Sequence, residues 1–295
     1  MIKKYLFCFL FLSLNCFGQS LIPNPPQLTA TSYLLLDAKT LKIISENNAE
    51  QSTGLASITK IMTAYVVADQ IQKGYLSGSS LVKISEKCWR MEGSRMFIKE
   101  GTEVSVSDLM LGIIVQSGND ASCALAEHIA GSEYDFAELM NDYARQMNLE
   151  ETNFMNPTGL PDVNHYSTAE DIAKLSIKLI QDFPETYKIF SQKEFTYNEI
   201  RQLNRNSLLW QDDSIDGIKT GHTSTSGYCM VSSAKRGDMR LIAVTLNSSS
   251  EKSRLRDSRR LLDYGFRYYT TKKIISKYEP ITSVDVWAGN EDSLE

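Results

Sequence analysis

The chain has 295 residues, 42% of them hydrophobic and 23% charged, enough for one large domain or one domain with a small companion. A net charge of −5 argues against nucleic acid as the main partner. There are no internal repeats or low-complexity runs, which excludes solenoid and fibrous classes.

Met1-Ile2-Lys3-Lys4, an apolar run from Tyr5 to Leu14, and small residues around Gly18 and Ser20 read as a secretory signal peptide over residues 1–20. That run is too short to span a bilayer, and no later stretch is apolar for long enough. The mature chain is therefore expected to be exported and soluble. Leu14 and Asn15 before Cys16 make a poor lipidation box. Cys8 and Cys16 leave with the signal. Cys88, Cys123 and Cys229 remain, an odd number spread far apart, with neither a disulfide framework nor metal-ligand spacing. Cys123 and Cys229 lie in apolar stretches and are expected as small core residues. His128, His165 and His222 are too scattered for a metal site, so no metal and no cofactor are expected.

Tyr33–Asp37 and Leu41–Ile44 flank a turn at Ala38-Lys39-Thr40 and predict a hairpin. Ile58, Ile61, Met62, Tyr65, Val66 and Ile71 have helical spacing, and Gly74 ends that helix. A second helix carries Leu109, Met110, Ile113 and Ile114, with Ser107 or Asp108 as its cap, and halts at Ser117-Gly118-Asn119. Asp120 is expected to cap the next helix, which carries Leu125, Ala126 and Ile129 and stops at Gly131. Phe136, Leu139, Met140, Tyr143 and Met147 predict another helix. Ser167-Thr168-Ala169-Glu170 is a capping box opening the helix of Ile172, Leu175 and Leu179. The last third predicts a strand at Ile215–His222 and a hairpin of Gly227–Ala234 and Met239–Leu246 turning at Arg236-Gly237-Asp238. A final helix carries Leu255, Leu261, Leu262 and Phe266. Most of its arginine cluster, Arg254, Arg256, Arg259 and Arg260, is expected to be a solvated face. Strands at both ends with helices between imply an antiparallel sheet in which the first and last strands meet, with helices on both faces.

Three short strings carry the chemistry: Ser57-Ile58-Thr59-Lys60, Ser117-Gly118-Asn119 and Lys219-Thr220-Gly221. Each alone is an ordinary helix, loop or turn sequence. Together they supply what acyl transfer needs. Ser57 and Lys60, three apart on a helix, share a face, so the amine can serve as base to the hydroxyl. A free lysine is neutral in only about one molecule in 2,500 at pH 7, but burial and a neighbouring cation, here Lys219, both lower its pKa. The helix start at Ser57 offers an N–H to a developing oxyanion, and the backbone N–H of His222 offers a second. Ser117 can relay a proton to the leaving amine, and Asn119 can hold a substrate amide. Lys219 and Thr220 can bind a carboxylate, while Gly221 leaves room for substrate along the strand edge.

These strings and their order resemble the D-alanyl-D-alanine carboxypeptidases, the low-molecular-mass penicillin-binding proteins of the β-lactamase/transpeptidase-like superfamily. The resemblance runs roughly from Ala30 to Thr271. It rests on Ala56–Thr63, Ser117–Ala121 and Asp216–Thr223, supported by Gly93–Phe97, Asn156–Leu160 and His165–Ala169. It implies a mixed α and β fold, with an antiparallel sheet of about five strands from both chain ends flanked by helices, and a helical subdomain. It implies an acyl-enzyme on Ser57 that removes the terminal D-alanine from peptidoglycan stem peptides, with β-lactams as covalent inhibitors. In the family an arginine after the last hairpin helps bind the terminal carboxylate; Arg254 matches by count from Lys219, with Arg256 as fallback. The implied location is the periplasm. Residues 21–272 are expected to form the catalytic domain, and residues 273–295 the truncated start of a β-rich C-terminal domain. Peripheral contact with the outer face of the inner membrane depends on a C-terminal anchor such as the family carries. A class A β-lactamase would need a glutamate-and-asparagine deacylation loop, and Glu199 to Asn204 has the wrong spacing and lies too close to Lys219. A β-lactam sensor would need a receptor helix, which the sequence lacks.

Overall fold

A computed structural model describes residues 22–275, 279–287 and 293–294; the signal expected over residues 1–20 lies outside them. The chain opens with the hairpin of β1 (Ser32–Asp37) and β2 (Ile43–Asn47). A 3₁₀ turn at Ala56–Thr59 runs straight into α1 (Lys60–Gln72). Next come β3 (Leu81–Lys83), the short α2 (Glu86–Trp89), β4 (Glu103–Ser105) and α3 (Val106–Leu111), which widens into a π turn over Gly112–Gln116. Helices α4 (Asn119–Ala130), α5 (Glu133–Gln146), α6 (Ala169–Asp182) and α7 (Pro184–Tyr187) follow, then the small hairpin of β5 (Glu194–Tyr197) and β6 (Ile200–Leu203). The chain returns through β7 (Ile215–Thr223), β8 (Gly227–Arg236), β9 (Met239–Ser248) and α8 (Glu251–Tyr268). A two-residue pair, β10 (Val284–Asp285) with β11 (Ser293–Leu294), lies beyond it.

The main sheet has the order β2-β1-β9-β8-β7, antiparallel throughout. Within this sheet the first strand in sequence, β1, meets the last, β9, as expected, with Leu34 opposite Val244 and Leu36 opposite Ile242. Side chains alternate across a strand, so each central strand feeds two cores. Leu34, Val231, Ile242 and Val244 face the helical layer. Leu35, Met230, Leu241 and Ala243 face α8 through Leu261 and Leu262. Helix α1 is buried on every side from Lys60 to Ala68, so it runs through the centre of the molecule instead of lying on its surface. A lysine at its start is therefore carried into the interior with it.

Three caps differ from the sequence expectation. Helix α3 is capped by Ser105, whose hydroxyl accepts from the Asp108 N–H; it starts two residues early because buried Val106 belongs to it. Gly118, not Asp120, precedes α4: the Asp120 carboxylate accepts the N–H groups of Met96 and Phe97 as well as its neighbour Ala121. Helix α6 is capped by Thr168 accepting from Asp171, because the backbone of Ser167 is bridged to Thr53.

The cysteine expectation is also corrected. Cys88 and Cys123 form a disulfide joining α2 to α4, with Cα atoms 5.3 Å apart. Packing brings together two residues that the sequence keeps 35 apart. Cys229 is a free thiol buried in the core, as expected. On α8, Arg256, Arg259 and Arg260 are exposed while Arg254 is buried.

Candidate active site

The three strings converge on one cleft of about 340 Å³ between the Ser57 turn, the Ser117 corner and the edge of β7. Ser57 sits half-buried on the 3₁₀ turn. The turn is entered through Ala56 at φ +49°, a left-handed conformation that alanine adopts only when its surroundings enforce it. Two glycines leave room for that turn. A Cβ on Gly221 would lie 3.0 Å from the Ser57 nitrogen and 2.9 Å from the Leu55 oxygen. One on Gly159, itself at φ +82°, would lie 1.8 Å from the Ala56 oxygen. Gly221 is thus required by the turn bearing Ser57, which presses directly on β7, more immediately than by substrate.

Lys60 is 1% exposed. Its Nζ lies 3.0 Å from Ser57 Oγ, 2.7 Å from Asn119 Oδ1 and 2.6 Å from the Thr158 carbonyl oxygen. Three donors of an ammonium match three acceptors. A neutral amine keeps two hydrogens on the two carbonyls, which cannot donate, and so turns its lone pair on the Ser57 hydroxyl. Burial favours that neutral form, bringing the Lys60 pKa down to about 7 against the opposing pull of Asp120. The neighbouring-cation effect expected on Lys60 falls on Lys219 instead. Lys219 is held below the ordinary lysine range by its own burial first, then by Lys60, Arg254 and Arg205.

Ser117 takes φ +66° at the end of the π turn, which swings its hydroxyl to accept from Lys219 Nζ at 2.8 Å. Lys219 also donates to the Thr220 oxygen at 3.0 Å. The Asn119 side chain spends both ends inside the protein: Oδ1 on Lys60 and Nδ2 on the Glu92 oxygen. It is placed to orient the amine, and Nδ2 keeps a second hydrogen beyond the one given to Glu92. Arg254 is 5% exposed, donating through Nη1 to the Gly221 oxygen and through Nη2 to Glu251, while its Nε finds no partner among the described residues. Its guanidinium lies over the Tyr228 ring, and Tyr228 stacks on His222 with ring centroids 4.0 Å apart. His222 is exposed at the cleft mouth.

All nine expected site residues lie on or against this cleft. Sequence reasoning did not find Thr158, which acts through its backbone oxygen and so leaves no side-chain signal. It also missed Ser94, Arg205, Tyr228 and Glu251, which complete the wall of the cleft.

The arrangement provides a hydroxyl with an adjacent amine, a second hydroxyl linked to a cation, and a basic wall suited to an anionic substrate end. A family model described as D-alanyl-D-alanine carboxypeptidase matches residues 19–250. The D-alanyl-D-alanine carboxypeptidase DacA of Haemophilus influenzae is 43% identical over 277 residues, covering 92% of this chain and 70% of that protein. Penicillin binding protein 5 from Haemophilus influenzae superposes with a TM-score of 0.87 at 43% identity, over 92% of this chain and 80% of that one. Penicillin-Binding Protein D2 from Listeria monocytogenes, solved in an ampicillin-bound form, superposes with a TM-score of 0.76 at 29% identity, over 83% of this chain and all of that one. Site geometry, fold and similarity thus agree: the chain belongs to the D-alanyl-D-alanine carboxypeptidase family.

Proposed function

We propose that this serine carboxypeptidase cleaves the terminal D-alanine from peptidoglycan stem peptides through an acyl-enzyme on Ser57. The observation that carries the assignment of roles is the Lys60 amine, aimed at Ser57 Oγ by two carbonyl oxygens and buried to a pKa of about 7. Lys60 takes the Ser57 proton as Oγ attacks the carbonyl carbon of the penultimate D-alanine. The tetrahedral oxyanion is met by the N–H groups of Ser57 and His222. As the C–N bond breaks, the proton returns to the leaving amine through Ser117, and D-alanine departs. Water then attacks the ester, with Lys60 again as base, and frees Ser57.

The substrate carboxylate is held by Lys219 and Thr220, with the buried charge of Arg254 behind Gly221. Its arrival beside Lys219 favours the ammonium there, which in turn favours neutral Lys60. β-lactams present an acyl carbon and a carboxylate in the same relation, and so acylate Ser57 as inhibitors; the ampicillin-bound Listeria protein supports this. Residues 1–20 act as an export signal, which places the enzyme in the periplasm with its substrate. Among the described residues no helix is long and apolar enough to cross a membrane.

Incubation with a peptide ending in D-Ala-D-Ala is expected to release free D-alanine, and penicillin to add its mass to Ser57. Both are lost in Ser57→Ala. Equal D-alanine release by that variant, or none by the intact protein, overturns the assignment.

A further inference from the structure

His165 is buried, 4% exposed, and takes no part in the steps above. Its two ring nitrogens have fixed partners. Nδ1 lies 3.1 Å from the Met155 nitrogen, whose N–H donates to it. Nε2 lies 2.7 Å from Thr59 Oγ1. The single hydroxyl hydrogen of Thr59 is spent on the Ala56 oxygen at 2.8 Å. Thr59 Oγ1 must therefore accept from Nε2–H, and His165 is the neutral Nε2–H tautomer. Hydrogens then run one way, from His165 to Thr59 to the carbonyl of the left-handed Ala56.

The other side of the ring reaches the base. Met155 opens the loop whose Thr158 oxygen receives Lys60, three residues on. Within that loop Asn156 Oδ1 accepts from the nitrogens of Thr158 and Gly159, and Gly159 abuts the Ala56 oxygen. One imidazole thus ties the turn holding the nucleophile to the loop holding its base. Those two segments are about a hundred residues apart in sequence, with Thr59 and His165 separated by 106.

We infer that His165, acting through Thr59 and Met155, is a positioning residue that sets the distance between Ser57 and Lys60. Burial supports the arrangement by lowering the His165 pKa to about 4, with Asp162 opposing and Lys60 assisting. The inference rests on Ser57 being the acylated residue, which the same assay checks separately: if the unaltered enzyme shows no Ser57-dependent labelling, the functional assignment fails.

The test is the rate of acylation by a fluorescent penicillin at saturating and subsaturating concentration, with thermal melting of each variant. Thr59→Val keeps the shape and removes the hydroxyl. His165→Phe keeps the ring and removes both nitrogens. His165→Gln restores a donor near Nε2. Thr59→Val and His165→Phe are each expected to slow the acylation step by roughly 10- to 100-fold with little change in non-covalent affinity. The double variant should be no slower than the worse single one, and His165→Gln should recover most of the rate. Acylation at the normal rate in Thr59→Val, losses that multiply in the double variant, or a glutamine variant as slow as the phenylalanine one would each overturn it. Should His165→Phe fail to fold, the Thr59→Val and His165→Gln rates decide alone.

Discussion

At the Lys60 amine two carbonyl oxygens, from Asn119 and Thr158, stand closer than the Ser57 hydroxyl does. Carbonyls can only accept, so when the amine loses a proton its lone pair is left to the hydroxyl. An ordinary lysine at 10.5 would hold that proton at neutral pH; burial brings this one to about 7. The sign follows directly. Below pH 7 the amine is charged and has no lone pair; above it the amine is neutral and competent. Acylation of Ser57 should therefore fall about tenfold per pH unit below neutrality and level off above it. Stopped-flow acylation between about pH 5 and 8 checks this, and a flat profile would remove Lys60 as the base. Ser57, Lys60, Ser117 and Lys219 were legible as residues because their chemistry lies in side chains at fixed short spacing. The Thr158 carbonyl was not, because any residue type can supply a backbone oxygen.

Among the elements, the segment between α2 and α4 is held over the Ser117 corner from two directions. Asp120 at the start of α4 gathers the N–H groups of Met96 and Phe97. Cys88 on α2 is joined to Cys123 on α4, one turn beyond Asn119. Closing a loop with a sequence separation of 35 restricts the unfolded chain, a contribution of about 3–4 kcal/mol. The double variant Cys88→Ala, Cys123→Ala is expected to lose that much stability in urea denaturation while keeping a cooperative transition. An unchanged midpoint would mean that the bridge does not form. The helices themselves were legible from their 3.6-residue spacing, and their caps were less so. Ser105, Gly118 and Thr168 won their positions through contacts made elsewhere, such as the claim of Met96 and Phe97 on Asp120.

For the molecule as a whole, closure depends on the two chain ends meeting. Strand β1 lies between β2 and β9, and α8 covers the face behind it. Asp257 on α8, 0% exposed, fastens the N-terminal segment: one carboxylate oxygen accepts from Thr29 N and Oγ1 and from Ala30 N. Asp257→Ala removes the acceptor of the buried Ala30 N–H and of the more exposed Thr29 N–H and hydroxyl, and should cost roughly 1–3 kcal/mol. Hydrogen exchange should then rise first at the amides of Thr29 and Ala30 and along β1. Protection unchanged at those amides would show that the ends are held by strand pairing alone.

By itself the sequence pointed to the residues proposed for the chemistry, to the family, and to the meeting of the first and last strands of the main sheet, because spacing and alternation are local properties. Only the tertiary structure decided how that chemistry is armed. The burial that lowers Lys60, the carbonyl that aims it, the imidazole behind Thr59 and the Cys88–Cys123 bridge all arise from segments far apart in the chain, brought together by packing around α1.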